Sequence, residues 1–313
     1  TEGKFAILYG KSDSVKLNLT FIGFINREIA LVAGQEKLHQ IYLTPTSYEK
    51  DAVVVNSTRA NRNTATAYTN VDLETIEARN FGQDIPILLE LEPSVVSTSD
   101  AGAGVGYTGI RIRGTDPTRI NVTLNGIPLN DSESHGVFWV NMPDLASSLD
   151  NIQVQRGVGT SSNGAAAFGA SINMQTNTFR KKWYIETTNG YGSVNTWRHS
   201  VSAGSGLIAN KFTVDARLSR ISSDGYIDRA TSNLWSWYAS AAYHGKKTMI
   251  RFNALGGRER TYQAWYGTPQ DSLETNRTFN YYTYENEVDN YGQDLYQLII
   301  AHEFDRKWNF NLN

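Results

Sequence analysis

Three places in this sequence carry residue types that do chemistry elsewhere, and none of them holds up as a catalytic or metal centre. The glycines between Gly157 and Gly169 invite a phosphate-loop reading. No Gly-Lys-Ser or Gly-Lys-Thr follows them, and Gly10-Lys11-Ser12 lacks the upstream glycine such a loop needs to cradle phosphate on backbone amides. The five histidines, His39, His135, His199, His244 and His302, are scattered without the spacing of metal ligands. Cysteine is absent, which removes thiolate metal sites and disulfides together. No Ser/His/Asp constellation or positioned carboxylate pair can be argued, so an enzyme ranks last among the readings. No cofactor is expected.

Binding chemistry is better represented. Asp51-Ala52-Val53-Val54-Val55 is a short β-branched run inside a polar stretch, with no facing strand nearby in sequence. It reads either as an edge strand or as a segment that adds to a partner's sheet edge through main-chain hydrogen bonds. A polar loop follows at Asn130–Gly136, carrying Asp131, Ser132, Glu133, Ser134 and His135, with Phe138 and Trp139 beside it. Arg111 and Arg113 share one strand parity, and Arg156 closes another apolar run. The 29 basic and 31 acidic residues give a net charge of −2, without a basic run, which argues against nucleic-acid binding.

The elements that must position these residues are mostly strands. Residues 1–46 alternate in short β-branched runs, as half of a small β-sandwich would. From Asn70 the texture is mixed. Asn70 or Thr69 is placed to cap a helix over 71–80, and Ile85–Glu92 reads as a second helix stopped by Pro93. Strands are expected at 109–114, 149–157 and 168–174. A hairpin is expected from Ile120–Leu124 through Asn125-Gly126 to Ile127–Leu129, since Asn-Gly suits a tight hairpin turn. After Trp183 the chain becomes a meander: Phe212, Val214, Ala216 and Leu218 alternate with Thr213, Asp215, Arg217 and Ser219. No stretch nears the roughly 18 apolar residues of a membrane helix, but barrel strands give no such signal. Alternation by itself does not separate a membrane barrel from a soluble β-sandwich of lectin or adhesin type. The chain opens within what reads as a hairpin at Lys4–Leu8 and closes within a strand at Trp308–Leu312, so a fragment is expected.

Three motifs occur in order: Ile110-Arg111-Ile112-Arg113-Gly114, the stretch Arg119–Asp131 (RINVTLNGIPLND), and Ile152–Thr176 (IQVQRGVGTSSNGAAAFGASINMQT). In order and spacing they resemble the plug of TonB-dependent outer-membrane receptors. Residues 1–47 resemble the end of a carboxypeptidase-regulatory-like domain, which precedes many such receptors of Bacteroidetes type.

The resemblance implies a division into that β-sandwich end (1–47), a TonB box with linker (48–69), an α/β plug (70–178) and the first strands of an antiparallel transmembrane barrel (179–313). Barrels of this class have about 22 strands, far more than this chain could supply. It further implies that Asp51, Ala52, Val53, Val54 and Val55 bind TonB, and that Arg111, Arg113 and Arg156 latch the plug to barrel carboxylates. Tyr107, Asp131, Ser132, Glu133, Ser134, His135, Phe138 and Trp139 would face the ligand. The long aromatic, acidic segment Tyr262–Tyr291 would lie outside the cell. The expected function is TonB-driven import across the outer membrane, most simply of a ferric siderophore or another iron complex. Cobalamin, haem, a glycan or a peptide are the alternatives. TonB, the ligand and outer-membrane lipid are the implied partners, and a surface lipoprotein partner stays open.

Overall fold

The computed structural model describes residues 14–19, 27–32, 41–42, 59–61, 64–158, 168–176, 179–304 and 308–312. Residues 1–50 and 51–313 form two compact units. In the first, β1 (Ser14–Leu19) pairs antiparallel with β2 (Arg27–Val32), as the alternating runs predict. Lys16 and Glu28 meet across them at 3.3 Å, exposed and so of small energetic consequence. Asp51–Val55 lies outside the described residues.

The second unit starts with β3 (Ala67–Asp72), which pairs with β8 (Leu149–Arg156) where a helix start is expected. Asn70 does not cap a helix, because its side-chain carbonyl accepts from Gln153 Nε2 (2.7 Å). Asp72 caps instead, accepting from Thr75 N, and α1 (Leu73–Arg79) buries Ile76. The second expected helix is a single turn, α2 (Ile85–Leu88). Turns carry the chain on to Pro93, and Glu92 folds back onto Arg79 at 3.0 Å.

Next come β4 (Val95–Ser99) and β5 (Thr108–Ile112), paired antiparallel across a glycine-rich loop. The hairpin of β6 (Ile120–Leu124) and β7 (Ile127–Pro128) turns at Asn125 and Gly126, both at positive φ (56° and 84°). That is the conformation a two-residue hairpin loop demands. With β9 (Ala170–Thr176), five strands form one sheet in the order β3-β8-β9-β6-β7. The β6–β9 pair is parallel and the others antiparallel. Ile112, Leu124, Ile152, Ile172 and Met174 fill its core.

The remainder is a seven-stranded antiparallel meander in sequence order: β10 (Tyr184–Gly192), β11 (Thr196–Gly204), β12 (Phe212–Ser223), β13 (Ser232–His244), β14 (Thr248–Tyr262), β15 (Val288–Glu303) and β16 (Asn309–Leu312). Its faces are inverted relative to a soluble sheet. On β12, Phe212, Val214 and Leu218 are 47%, 50% and 60% exposed, while Thr213, Arg217 and Ser219 are 4%, 5% and 3% exposed. The polar face therefore packs inward, toward the mixed domain, and the apolar face points out. No described helix is long and apolar enough to cross a membrane, which leaves strands that cross one untouched.

Candidate functional site

Among the described residues, several buried charged side chains gather at the seam between the mixed domain and the polar face of the meander. Asp144 sits at its centre, fully buried in a left-handed conformation (φ 54°) ahead of a short helical turn. Two strand arginines grip its carboxylate. Arg198 Nη2 of β11 donates to Oδ1 at 2.8 Å, and Arg217 Nη1 of β12 lies 3.4 Å from Oδ2. Ser147 Oγ and Ser219 Oγ donate at 2.7 and 2.6 Å, so both carboxylate oxygens are satisfied. The arginines use further donors on the same seam, while Arg198 Nε is buried without a partner. Arg198 Nη1 reaches the Asn80 carbonyl (3.0 Å), and Arg217 Nε reaches Ser148 Oγ (2.7 Å). Removing one partner from such a cluster strands an uncompensated buried charge.

Two further contacts tie the same surfaces. Asn125 of the hairpin turn donates through Nδ2 to Gln297 Oε1 of β15 (2.8 Å), while Gln297 Nε2 donates to the Leu124 carbonyl (3.1 Å). At Gly257 of β14 the wall meets plug backbone directly. A Cβ there would fall 2.0 Å from the Asn141 carbonyl oxygen, so only glycine fits.

The sequence-predicted residues fare unevenly. The latch expected of Arg111, Arg113 and Arg156 is not formed among the described residues. Ile110 and Ile112 of β5 point into the core, so Arg111 and Arg113 face away from it and are exposed. Arg111 pairs at 3.6 Å with Asp116 of the same domain. Arg156 is half-buried at the end of β8 and donates to Thr69 Oγ1 (2.5 Å). The buried charge pairs run the other way, with the anion on the plug side and cations on the wall. Asp144 gives no sequence signal. Arg217 does give one, as an arginine on the polar parity of an otherwise membrane-like strand.

Trp139 lies apart from the exposed loop. It is 4% exposed within the apolar core and has no surface to offer a ligand. Its neighbour Phe138 is 49% exposed, and Asp131, Ser132, Glu133, Ser134 and His135 are exposed as expected. The Asp131 carboxylate is already engaged: the amides of Ser134 and Glu133 donate to it (2.7 and 3.0 Å). The Ser134 bond, foremost, holds its carboxyl below the usual range.

Tyr107 stands apart from that loop. Its hydroxyl lies 2.7 Å from Asp289 Oδ2 and 3.3 Å from Glu259 Oε1, both on the wall. Burial, then the neighbouring carboxylates, push its phenol well above the usual value, so it stays a neutral donor. Trp265, from the segment 263–287 that joins β14 to β15, packs edge-on against it (5.7 Å). That segment also stacks Tyr266 on Tyr282 at 5.4 Å.

Residues 60–171 match the family model described as TonB-dependent Receptor Plug Domain. No curated protein sequence matches the chain. Among solved structures, the open form of the ferric-catecholate import receptor Fiu from E. coli K12 is 17% identical, with a TM-score of 0.61, over 78% of this chain and 37% of its own. The ferric yersiniabactin uptake receptor FyuA from Yersinia pestis is 13% identical, with a TM-score of 0.64, over 81% and 41%. The ferripyoverdine receptor of the Pseudomonas aeruginosa outer membrane is 15% identical, with a TM-score of 0.64, over 81% and 34%. The chain thus spans between a third and two-fifths of these proteins' lengths. Residues 60–171 thus match the plug domain of TonB-dependent receptors, and the fold of the chain, plug against antiparallel strands, is that of the solved receptors.

Proposed function

We propose that this protein imports a scarce ligand across the outer membrane, driven by TonB, and that the cargo is a ferric siderophore or another iron complex. The observation that carries the reading is the inversion of the wall's two faces. Exposed Phe212, Val214 and Leu218 suit hydrocarbon, while the polar inner face meets the plug. A polar seam suits a plug that must move, because polar contacts can be exchanged for water. No chemistry is done on the cargo. Support for iron comes from the structural neighbours, which are receptors for ferric siderophores.

In this reading Asp51–Val55 add as a strand to TonB on the periplasmic side. Asp131–His135, Phe138 and the aromatic segment 263–287 supply ligand contacts on the outer side. Growth of a strain lacking the gene, on a panel of single iron sources, tests the cargo. Loss of growth on one ferric chelate, restored by the gene, supports it. Undiminished growth on every iron source, with a defect on cobalamin, haem, a glycan or a peptide, transfers the cargo to that class.

A further inference from the structure

The geometry points to a binding site for a hard divalent cation of the calcium class at one end of the plug–wall seam, held by Glu259, Asp289, Tyr107, Ser232 and Thr261. Two wall carboxylates converge on one phenol there: Tyr107 Oη is 2.7 Å from Asp289 Oδ2 and 3.3 Å from Glu259 Oε1. A phenol has one hydrogen and can donate to only one of them at a time. Among the described residues no Lys or Arg pairs with either acid. Adjacent carboxylates, here the buried Glu259 and the half-buried Asp289, disfavour each other's charge when no cation stands by and call for positive charge between them.

The oxygens around them indicate which kind. Ser232 and Thr261 face each other across β13 and β14, and Thr261 in turn faces Asp289 of β15. Glu259, two residues from Thr261, presents the same buried face. Glu259 Oε2, Ser232 Oγ and Thr261 Oγ1 are all buried and make no well-formed hydrogen bond, although the Thr261 hydroxyl neighbours the Glu259 carboxylate; their residues are 3%, 3% and 2% exposed. The plug covers them directly: a Cβ at Gly106 would lie 2.9 Å from Ser232 Oγ.

A proton on Glu259 would answer for one of these oxygens. An ion that accepts about six to eight oxygen ligands in a flexible arrangement answers for them together. The donor set contains oxygen alone, which selects a hard cation over zinc or copper. No three of His, Asp and Glu converge to hold a metal among the described residues. The hydroxyl and phenol oxygens are therefore needed to complete the set. Because Tyr107 belongs to the plug and the other four to the wall, the ion would tie the two together whichever cargo is carried.

The test is calorimetric titration of calcium chloride into the chelator-treated protein, purified in detergent from outer membranes. Wild type should bind calcium at one site. Glu259→Gln and Asp289→Asn should each weaken binding at least tenfold, and Tyr107→Phe by a few-fold. Glu274→Gln, in the exposed segment, should leave it unchanged. If Glu259→Gln fails to fold, the half-buried Asp289→Asn gives the same reading. Absence of calcium binding in wild type would overturn the site, as would equal affinity in the Glu259 and Asp289 variants. Calcium-independent stabilisation by Glu259→Gln, with no binding in wild type, would assign the pair to a shared proton instead.

Discussion

Arg198 of the wall and Asp144 of the plug form a buried ion pair at 2.8 Å, the reverse polarity of the latch the sequence motifs lead one to expect. Arg217 holds the second oxygen of the same carboxylate. Asp144→Ala leaves two guanidinium groups facing each other without an anion, at a cost of about 3–5 kcal/mol. The loss should fall on the plug's attachment. In limited proteolysis of the membrane-embedded protein, the Asp144→Ala plug should be cut while the wall stays intact. Arg111→Ala, by contrast, removes a half-exposed pair and should shift stability by no more than about 1 kcal/mol.

Trp139 separates packing from binding. As a core residue, Trp139→Ala should destabilise the plug by about 3–5 kcal/mol in denaturant unfolding. Phe138→Ala, at an exposed position, should cost about 0.5 kcal/mol or less. Replacing 131–135 with Gly and Ser should leave folding intact and weaken ligand binding about tenfold, near 1.4 kcal/mol, if that loop meets the cargo. Unchanged affinity removes the loop from the site.

Asp84 gives the plug a pH dependence of definite sign. It is 4% exposed, Thr108 Oγ1 donates to one oxygen at 2.8 Å, and its other oxygen has no partner. Burial, foremost, pushes its carboxyl up to about 8 from 3.8. The folded plug thus keeps this proton where the unfolded chain has lost it. Its contribution to stability is full below about pH 4 and declines as pH rises toward 8, by up to about 1.4 kcal/mol per pH unit. Asp84→Asn keeps the Thr108 bond and should flatten that slope, as read from denaturation midpoints between pH 5 and 8.

Much of the fold is legible in the sequence because local signals there agree with tertiary placement. Asn125-Gly126 turns where a hairpin turn must, and the alternation of β12 survives at Phe212–Ser219. What alternation does not carry is the sign of the faces. The same pattern fits a soluble sheet until Arg217 and Thr213 are seen buried and Leu218 exposed. The start of α1 is shifted because Asn70, a good cap in isolation, is taken by Gln153 from a strand distant in sequence. The site is less legible still. Asp144 becomes special only when β11 and β12 bring Arg198 and Arg217 to it. Arg111 and Arg113 stand on the exposed side of β5 because Ile110 and Ile112 claim the buried side, so no partner for them is legible in this sequence.

Uptake of a radiolabelled ferric siderophore into whole cells tests TonB-driven import. The measurement compares wild type, a strain lacking the gene, and a strain carrying Val54→Pro, which removes a backbone donor from the proposed TonB-binding strand. Uptake should be energy-dependent in wild type and absent without the gene. Val54→Pro should bind ligand at the cell surface normally but take up less than about a tenth as much, as expected when a strand-adding contact is lost. Wild-type uptake by the Val54→Pro strain, or uptake that continues when TonB is absent, would contradict it.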